Sequence, residues 1–307
     1  MQMHLHEDSA SHNAFRCGNP RVVVSDRSHR YIMSVFMDLN LTFSHDKSNM
    51  QRLIETAAHL GFSTVAVNYT FEPTAKKKQE IPSPTPISEI IDQLPIVQGR
   101  SRPIRVLNRL TLVMSDLCHF RPNAAEYRGF DLIAVHPTTE KVFHAACMQL
   151  DVDIITVSVT EKLPFLLKRA PVSGAVERGV AFEVSYAAAI RDATMRRYTI
   201  ANAISMAETY KGKNVIVSSA AEKPLELRGP YDVINLSSLF GLSDGDARAA
   251  VSSTCRSVLL HAETRKTASG VISTRRISKE TSCQPGAPPS SSFDVPAAKR
   301  VKTQQKD

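Results

Sequence analysis

The residues best suited to chemistry are polar side chains that follow or interrupt short apolar segments of the chain. They are Asp38, Asn40, Asn68, Asp116, His136, Glu161, Glu183, Ser218 and Ser219. A metal-dependent hydrolase would need several histidines and carboxylates around one ion. This set contains a single histidine among scattered acids, and no Ser-His-Asp or Cys-His arrangement can be placed in it. We therefore predict that the chain holds no catalytic residue and no metal ligand.

Two members of this set have a functional and a structural interpretation. Glu183 stands in the middle of an apolar segment, where it could be a catalytic acid. The interpretation that we favour is a buried glutamate paired with a neighbouring lysine or arginine, because a buried carboxylate needs a partner. His136 is interpreted as a packing or hydrogen-bonding residue at the end of a strand.

Short basic clusters are the better functional signal. Lysine and arginine beside glycine, serine, threonine or tyrosine suit contacts to the phosphates of nucleic acid. Each cluster alone can also be an ordinary solvated surface. We predict RNA contact at Arg100, Arg102, Arg105, Arg196, Arg197, Lys211, Lys213, Arg228, Arg265 and Lys266.

Composition limits the class of protein. The chain has 307 residues, is 42% hydrophobic and carries a net charge of +8, which suits a polyanionic partner. Its five cysteines are scattered, with no C-x-x-C pair, so neither a disulfide framework nor a zinc knuckle is predicted. No apolar run reaches the roughly 18 residues of a membrane span, and no signal peptide is recognised. We expect a soluble intracellular protein with no membrane partner and no cofactor of its own.

Seven short segments, rich in apolar and β-branched residues, must position these side chains. We predict strands at residues 35–41, 64–69, 105–114, 131–136, 154–159, 181–186 and 214–218, nearly all followed by a helical pattern. Apolar strands that alternate with helices are typical of a parallel sheet covered on both faces. No G-x-G-x-x-G or Walker loop supports an open doubly wound sheet. We predict a TIM-barrel-like (β/α) barrel of about seven parallel strands, in the α/β class, with function at the carboxyl ends of the strands.

Two helices carry start and stop signals. Residues 48–51 (SNMQ) have the form of a capping box at the start of the first helix. Asp192 is predicted to cap a longer helix that Gly212 ends. The predicted buried face of that longer helix consists of Ile200, Ala203, Ile204, Ala207 and Tyr210.

The two ends of the chain differ from its middle. Residues 1–32 are predicted to be a disordered or spurious extension, with Met33 as an alternative start, and residues 33–274 to form the barrel domain. Residues 275–307 are rich in serine and proline and are predicted to be a disordered basic tail. Within this tail, Lys299, Arg300 and Lys302 match an importin-type nuclear localisation signal.

Longer stretches of the chain carry a family resemblance. They include residues 55–69 (ETAAHLGFSTVAVNY), 94–116 (LPIVQGRSRPIRVLNRLTLVMSD), 156–165 (TVSVTEKLPF), 193–200 (ATMRRYTI), 211–233 (KGKNVIVSSAAEKPLELRGPYDV) and 261–274 (HAETRKTASGVIST). These stretches resemble the thirty-kilodalton protein subunit of eukaryotic nuclear ribonuclease P, which is shared with ribonuclease MRP. The resemblance spans residues 33–274 with few gaps.

The resemblance implies a fold, a function and partners. It implies a barrel related to the polymerase-and-histidinol-phosphatase (PHP) superfamily and a place in a ribonucleoprotein whose RNA, using Mg²⁺, cleaves precursor tRNA at its 5′ end. A further role in processing precursor rRNA is implied through ribonuclease MRP. The implied partners are the two RNAs, precursor tRNA through the complex, and other protein subunits, including a small ferredoxin-like one. The implied location is the nucleus and nucleolus.

The sequence departs from the active members of the PHP superfamily at one motif. Those enzymes carry H-x-H on the first strand as metal ligands, whereas this chain has Asp38-Leu39-Asn40 there. The loss of both imidazoles favours a non-catalytic subunit. A metal-dependent PHP-type phosphoesterase stays as one alternative, and a nuclear adaptor without RNA contact as another.

Overall fold

The fold is a sheet of seven parallel strands with helices between them, seen in a computed structural model that describes residues 35–73, 81–121 and 124–267. The strands are hydrogen-bonded in chain order from first to last. They are β1 (Phe36–Thr42), β2 (Phe62–Phe71), β3 (Arg105–Met114), β4 (Leu132–Pro137), β5 (Ile154–Thr156), β6 (Ala181–Ser185) and β7 (Val215–Ser218). Every predicted strand is present, so the prediction of seven parallel strands is confirmed.

The sheet curls until its last strand reaches its first. Just beyond β7, the Ala220 N–H donates to the Asn40 carbonyl at 2.8 Å, and the Thr42 N–H donates to the Ala221 carbonyl at 3.0 Å. Leu41 and Ala221 form an isolated parallel bridge at this seam. The sheet is therefore a nearly closed barrel, and the predicted (β/α) barrel is confirmed.

Helices cover the outside of the barrel. They are α1 (Lys47–His59), α2 (Ile87–Ile90), α3 (Glu140–Met148), α4 (Arg169–Glu177), α5 (Ala187–Arg191), α6 (Ala193–Tyr210), α7 (Pro230–Leu239), α8 (Asp244–Ala250) and α9 (Ser253–Lys266). Within the described ranges, no helix is both long and apolar enough to cross a membrane.

The start of α1 differs from the prediction. The Asp46 carboxylate accepts from the Ser48 N–H at 3.0 Å, so Asp46 is the N-cap and the helix begins at Lys47. The predicted capping box at residues 48–51 is wrong, because an aspartate two residues upstream offers a stronger acceptor to the open N–H groups of the first turn.

The long helix α6 follows the prediction at its ends more closely than along its face. Asp192 accepts from the Met195 N–H at 2.8 Å, as predicted. At the other end, Lys211 and Gly212 both take left-handed backbone conformations, with φ of 54° and 69°. The predicted buried face is wrong at Ile204, which is 37% exposed, whereas Thr199 and Met206 are buried. The buried face is rotated towards Met206 because it is set by packing against the neighbouring elements. The periodicity of apolar residues does not contain that information.

The barrel interior begins with an apolar layer at the end where the strands start, which we call the lower end. This layer contains Leu39, Ala66, Leu107, Leu132, Ala134, Ile154, Ala181 and Ile216, together with Cys255, Val258 and Ala262 of α9. A larger apolar core lies between the strands and the surrounding helices. Helix α9 therefore closes the lower end of the barrel with apolar side chains. The opposite end, where the strands finish, is called the upper end.

The predicted boundaries at residues 33 and 275 and the nuclear signal at Lys299, Arg300 and Lys302 lie outside the described residues. They stay predictions.

Candidate functional site

Above the apolar layer, the barrel interior is filled by a ring of polar side chains. Arg109 Nε donates to Thr111 Oγ1 at 3.2 Å, and Thr111 donates to Asn68 Oδ1 at 2.7 Å. Asn68 Nδ2 then donates to Asn40 Oδ1 at 2.8 Å, and Asn40 Nδ2 donates to Glu183 Oε2 at 3.3 Å. All five residues are buried. Neighbouring strands bring them together because alternate residues of each strand face the interior.

An ion pair closes this ring. The Arg109 guanidinium donates to both oxygens of Glu183, at 2.5 and 2.6 Å, and both side chains are fully buried. Arg109 also donates to the Leu39 carbonyl at 2.8 Å, and Ser218 donates to Glu183 at 2.6 Å. Burial alone would raise the pKa of Glu183, but the adjacent guanidinium holds that pKa below its usual value. The favoured interpretation of Glu183 as a paired, buried carboxylate is therefore confirmed.

The partner of Glu183 was missed at the sequence level. Arg109 lies in the middle of the apolar strand β3, and the residues two before and two after it face the same side. An arginine at an inward-facing position of a buried strand needs a carboxylate partner. That position in the strand was the signal that could have identified it.

Asp38 lies in the same interior, and among the described residues no ion pair holds it. Its carboxylate accepts from the Ser219 N–H at 3.1 and 3.3 Å and from the Asn40 N–H at 3.2 Å. Burial raises the pKa of Asp38 to about 6, and the nearby Glu183 charge adds to the rise. Asp38 therefore ties the start of the loop after β7 to β1, which helps to close the barrel.

The remaining polar residues of the strand ends do not converge on a metal site. His136 is half-buried, and burial lowers its pKa. Asp116 is exposed and caps the turn at Leu117. Among the described residues, no three or more histidines, cysteines, aspartates or glutamates lie close enough together to hold a metal ion. The interior carboxylates instead hold an arginine and backbone N–H groups. That the chain has no catalytic residue and no metal ligand stays a prediction.

Three of the predicted RNA-contact residues lie at the upper end of the barrel. Arg196 donates to the Ala189 carbonyl at 2.7 Å, and Arg228 donates to the carbonyls of Leu225 and Leu227 at 2.8 and 2.9 Å. Arg197 is exposed. Arg196 and Arg228 therefore also hold the local backbone, whereas Arg197 projects into solvent.

An arginine that was not singled out in the sequence joins this upper end. Arg191 pairs with Glu222 at 2.9 Å and with Glu226 at 3.0 Å. It lies at the end of α5, immediately before the α6 cap. Its two carboxylate partners lie in the loop after β7, so the pairs link two upper loops.

The other seven predicted residues lie at the lower end, because they occur just before strands or at the end of α9. Arg265 pairs with Asp153 at 3.0 Å, and Lys266 pairs with Asp131 at 3.2 Å. Asp153 is fully buried and also contacts His261 Nδ1 at 2.8 Å. Arg102, Arg105, Lys211 and Lys213 are exposed, and Arg100 is half-buried.

The ten predicted residues therefore do not form one surface. The barrel separates them into an upper group of three and a lower group of seven, at opposite ends of the strands. RNA contact stays a prediction for each of them.

The fold and its interior define a (β/α)-barrel protein whose polar core is closed by an arginine–glutamate pair. Residues 35–267 match the family described as RNase P subunit p30. The chain belongs to this family.

Relatives support this assignment along most of the barrel. The chain is 56% identical over 245 residues to the Ribonuclease P protein subunit p30 of Mus musculus, covering 79% of this chain and 91% of the relative. It is 27% identical over 218 residues to the Ribonuclease P/MRP protein subunit RPP1 of Saccharomyces cerevisiae, covering 71% of this chain and 74% of that one.

A solved structure shares the fold. A chain from a cryo-EM structure of archaeal Ribonuclease P with mature tRNA superimposes with a TM-score of 0.53. The two chains are 16% identical, and the match covers 79% of this chain and all of the other. At this identity the likeness establishes the barrel fold alone.

Proposed function

We propose that this chain is a protein subunit of the ribonuclease P and ribonuclease MRP ribonucleoproteins. In them it binds RNA and partner subunits and supports 5′-end maturation of precursor tRNA and processing of precursor rRNA. The observation that carries the proposal is the family match over residues 35–267, joined to 56% identity with a ribonuclease P subunit. The match spans every strand of the barrel, so it concerns the whole domain rather than a short motif.

The chain is proposed to act without a catalytic centre of its own. Glu183, a carboxylate in the middle of the interior, is engaged by the Arg109 guanidinium and by Ser218. A carboxylate held in this way is poorly placed to take up a proton or bind an ion. Cleavage is then the work of the RNA and its Mg²⁺, and the protein binds and positions.

The finer parts of the proposal concern partners and location. We include a small ferredoxin-like subunit among the protein partners, and importin as the carrier that recognises Lys299, Arg300 and Lys302. The protein then resides in the nucleus and concentrates in the nucleolus, where the RNA of ribonuclease MRP would meet precursor rRNA.

The test is affinity purification of the tagged full-length chain from cells, followed by sequencing of the recovered RNA. We expect strong enrichment of the RNAs of ribonuclease P and ribonuclease MRP, and cleavage of precursor tRNA by the recovered complex. The matched control is Arg109→Leu, which leaves Glu183 buried without a counter-charge and destabilises the barrel. Recovery of neither RNA with the wild-type chain would contradict the proposal.

Two further measurements address the alternatives. The purified chain alone, with added Mg²⁺, Mn²⁺ or Zn²⁺, is expected to leave both precursor tRNA and a simple phosphate ester intact. Hydrolysis that disappears in Asp38→Ala would favour the phosphoesterase. Ultraviolet crosslinking in the complex is expected to join this chain to RNA, and its failure would favour an adaptor that contacts only protein.

A further inference from the structure

The segment before β3 forms a small hairpin at the lower end of the barrel, which we call the 95–104 hairpin. Ile96 and Pro103 form an antiparallel bridge, the Ile104 N–H donates to the Pro95 carbonyl at 2.9 Å, and the Val97 N–H donates to the Arg102 carbonyl at 3.1 Å. The tip is a turn in which the Arg100 N–H donates to the Val97 carbonyl at 2.9 Å. Gly99 is the third of the four residues in this turn, and its φ is positive, at 72°. A glycine takes this conformation without strain.

Burial of its base holds the hairpin in one orientation. Val97 and Ile104 are 2% and 1% exposed and belong to the main apolar core. The Gln98 N–H donates to the Ala58 carbonyl at the end of α1, at 3.0 Å. The hairpin is therefore anchored on both sides before any partner arrives, which lowers the entropy cost of binding.

The outer surface of this hairpin is basic and carries no acid. The sequence from Gln93 to Ser115 contains four arginines and neither aspartate nor glutamate. Of these, Arg109 is buried in the interior pair, whereas Arg102 and Arg105 are exposed. Among the described residues, no ion pair holds Arg102 or Arg105.

Three of the other predicted RNA-contact residues differ in this respect. Arg265 and Lys266 are paired with Asp153 and Asp131, and Arg228 is held by two backbone carbonyls. Arg102 and Arg105 thus present guanidinium groups that no ion pair engages in the described part of the chain, on a scaffold that is already ordered.

We propose that the 95–104 hairpin, together with Arg105, contacts the phosphate backbone of RNA. This inference rests on the proposed function, and it specifies which of the basic clusters serves it. Arg102 and Arg105 lie three residues apart, or roughly 10 Å in an extended chain, which lets them contact two different phosphates. A guanidinium can donate two parallel hydrogen bonds to one phosphate, and the Ser101 hydroxyl and the exposed backbone of the tip add further polar contacts.

The test measures the affinity of the purified full-length chain for in vitro transcribed ribonuclease P RNA across a series of KCl concentrations. Each lost phosphate contact lowers the slope of log affinity against log salt by about 0.7–0.9. For Arg102→Ala/Arg105→Ala we expect the slope to fall by about 1.4–1.8. Since both side chains are exposed, the melting temperature is expected to stay unchanged.

Two matched variants sharpen the result. Arg52→Ala/Arg256→Ala removes the same charge from two exposed helical side chains, on α1 and α9, that belong to none of the predicted RNA-contact residues. That variant is expected to keep the wild-type slope. Arg102→Lys/Arg105→Lys keeps the charge and is expected to keep most of the slope, because lysine also contacts phosphate as a point charge.

Three results would overturn the inference. The first is an unchanged slope in a folded Arg102→Ala/Arg105→Ala chain. The second is an equal fall in the Arg52→Ala/Arg256→Ala chain, which would mean a diffuse effect of net charge rather than contact at the hairpin. The third is an unchanged slope combined with loss of partner subunits from the purified complex, which would make the hairpin a contact for an acidic protein surface. Because this assay uses purified components, it can fail while the wild-type chain still recovers both RNAs from cells, so the two failures are distinguishable.

Discussion

Two arginine–carboxylate pairs of the barrel lie at different depths. The upper pair, Arg109 with Glu183, lies at the barrel centre above the apolar layer, and both side chains are fully buried. The lower pair is Asp153 with Arg265. Asp153 is fully buried, but the side chain of Arg265 is 12% exposed. Asp153 also accepts from the Ile133 N–H at 2.8 Å, so it has other partners. At the barrel centre, water cannot reach the carboxylate if its arginine is lost. At the rim, water can take over part of the arginine's hydrogen bonds.

The largest expected effect is at the upper pair. Arg109→Ala leaves the Glu183 carboxylate buried without a counter-charge, and we expect the free energy of unfolding to fall by about 3–5 kcal/mol. Urea unfolding at neutral pH measures this loss. The control is Arg109→Leu/Glu183→Leu, which removes both charges and should recover much of the stability. A double variant as unstable as the single one would show that the charge imbalance is not the cause.

A second, slightly smaller effect concerns Asp38, the interior carboxylate that no ion pair holds in the part of the chain that the structure describes. Its pKa is raised to about 6 in the folded chain, so the folded state holds a proton that the unfolded state has already released. Stability from this group is then present at pH 4 and is lost as the pH rises through 6, by about 3 kcal/mol in total.

The measurement is the free energy of unfolding of the wild type and of Asp38→Asn between pH 4 and pH 8. We expect the free energy of unfolding of Asp38→Asn to rise relative to that of the wild type as the pH rises, because asparagine cannot ionise. A difference between the two chains that does not change with pH would contradict the raised pKa.

The lower pair is expected to respond more weakly than the upper one. Arg265→Ala removes one partner of Asp153 but leaves the Ile133 N–H and His261 in place. We expect a loss of about 1–3 kcal/mol, as for a buried polar group that is left partly satisfied. Lys266→Ala, which breaks a more exposed pair with Asp131, is the control and should cost less than about 1 kcal/mol. If Arg265→Ala destabilised the chain as much as Arg109→Ala, the difference in depth would not matter.

The smallest effect is expected at the upper surface. Arg196→Ala/Arg197→Ala removes two exposed side chains at the start of α6, of which Arg196 also donates to the Ala189 carbonyl, and the stability should change by no more than about 1 kcal/mol. If these arginines neutralise RNA phosphates, the salt slope of RNA binding falls by about 0.7–0.9 for each contact. A drop in melting temperature with an unchanged slope would instead assign them to internal or protein contacts.

Local patterns were enough to predict most of the fold. Short apolar runs such as residues 214–218 form the strands, because apolar, β-branched runs are typical of parallel strands that are buried on both faces. Asp192 caps α6 as predicted, since the acceptor and the open N–H groups are neighbours in the chain. Glu183 was interpreted correctly as a paired carboxylate because a buried charge needs a counter-charge whatever the fold.

Only the tertiary structure decided which residue pairs with each buried polar or charged side chain. Arg109 and Glu183 are 74 positions apart, and nothing in the sequence near either one points to the other. Strand order and curvature bring both into one interior, where the hydrogen-bonded ring then selects Asn40, Asn68 and Thr111. The same three-dimensional arrangement separates Arg102 from Arg197 by the length of the barrel, although both belong to similar basic clusters. Composition and spacing specify that a charge is present, but the distance between charges in space depends on how the whole chain folds.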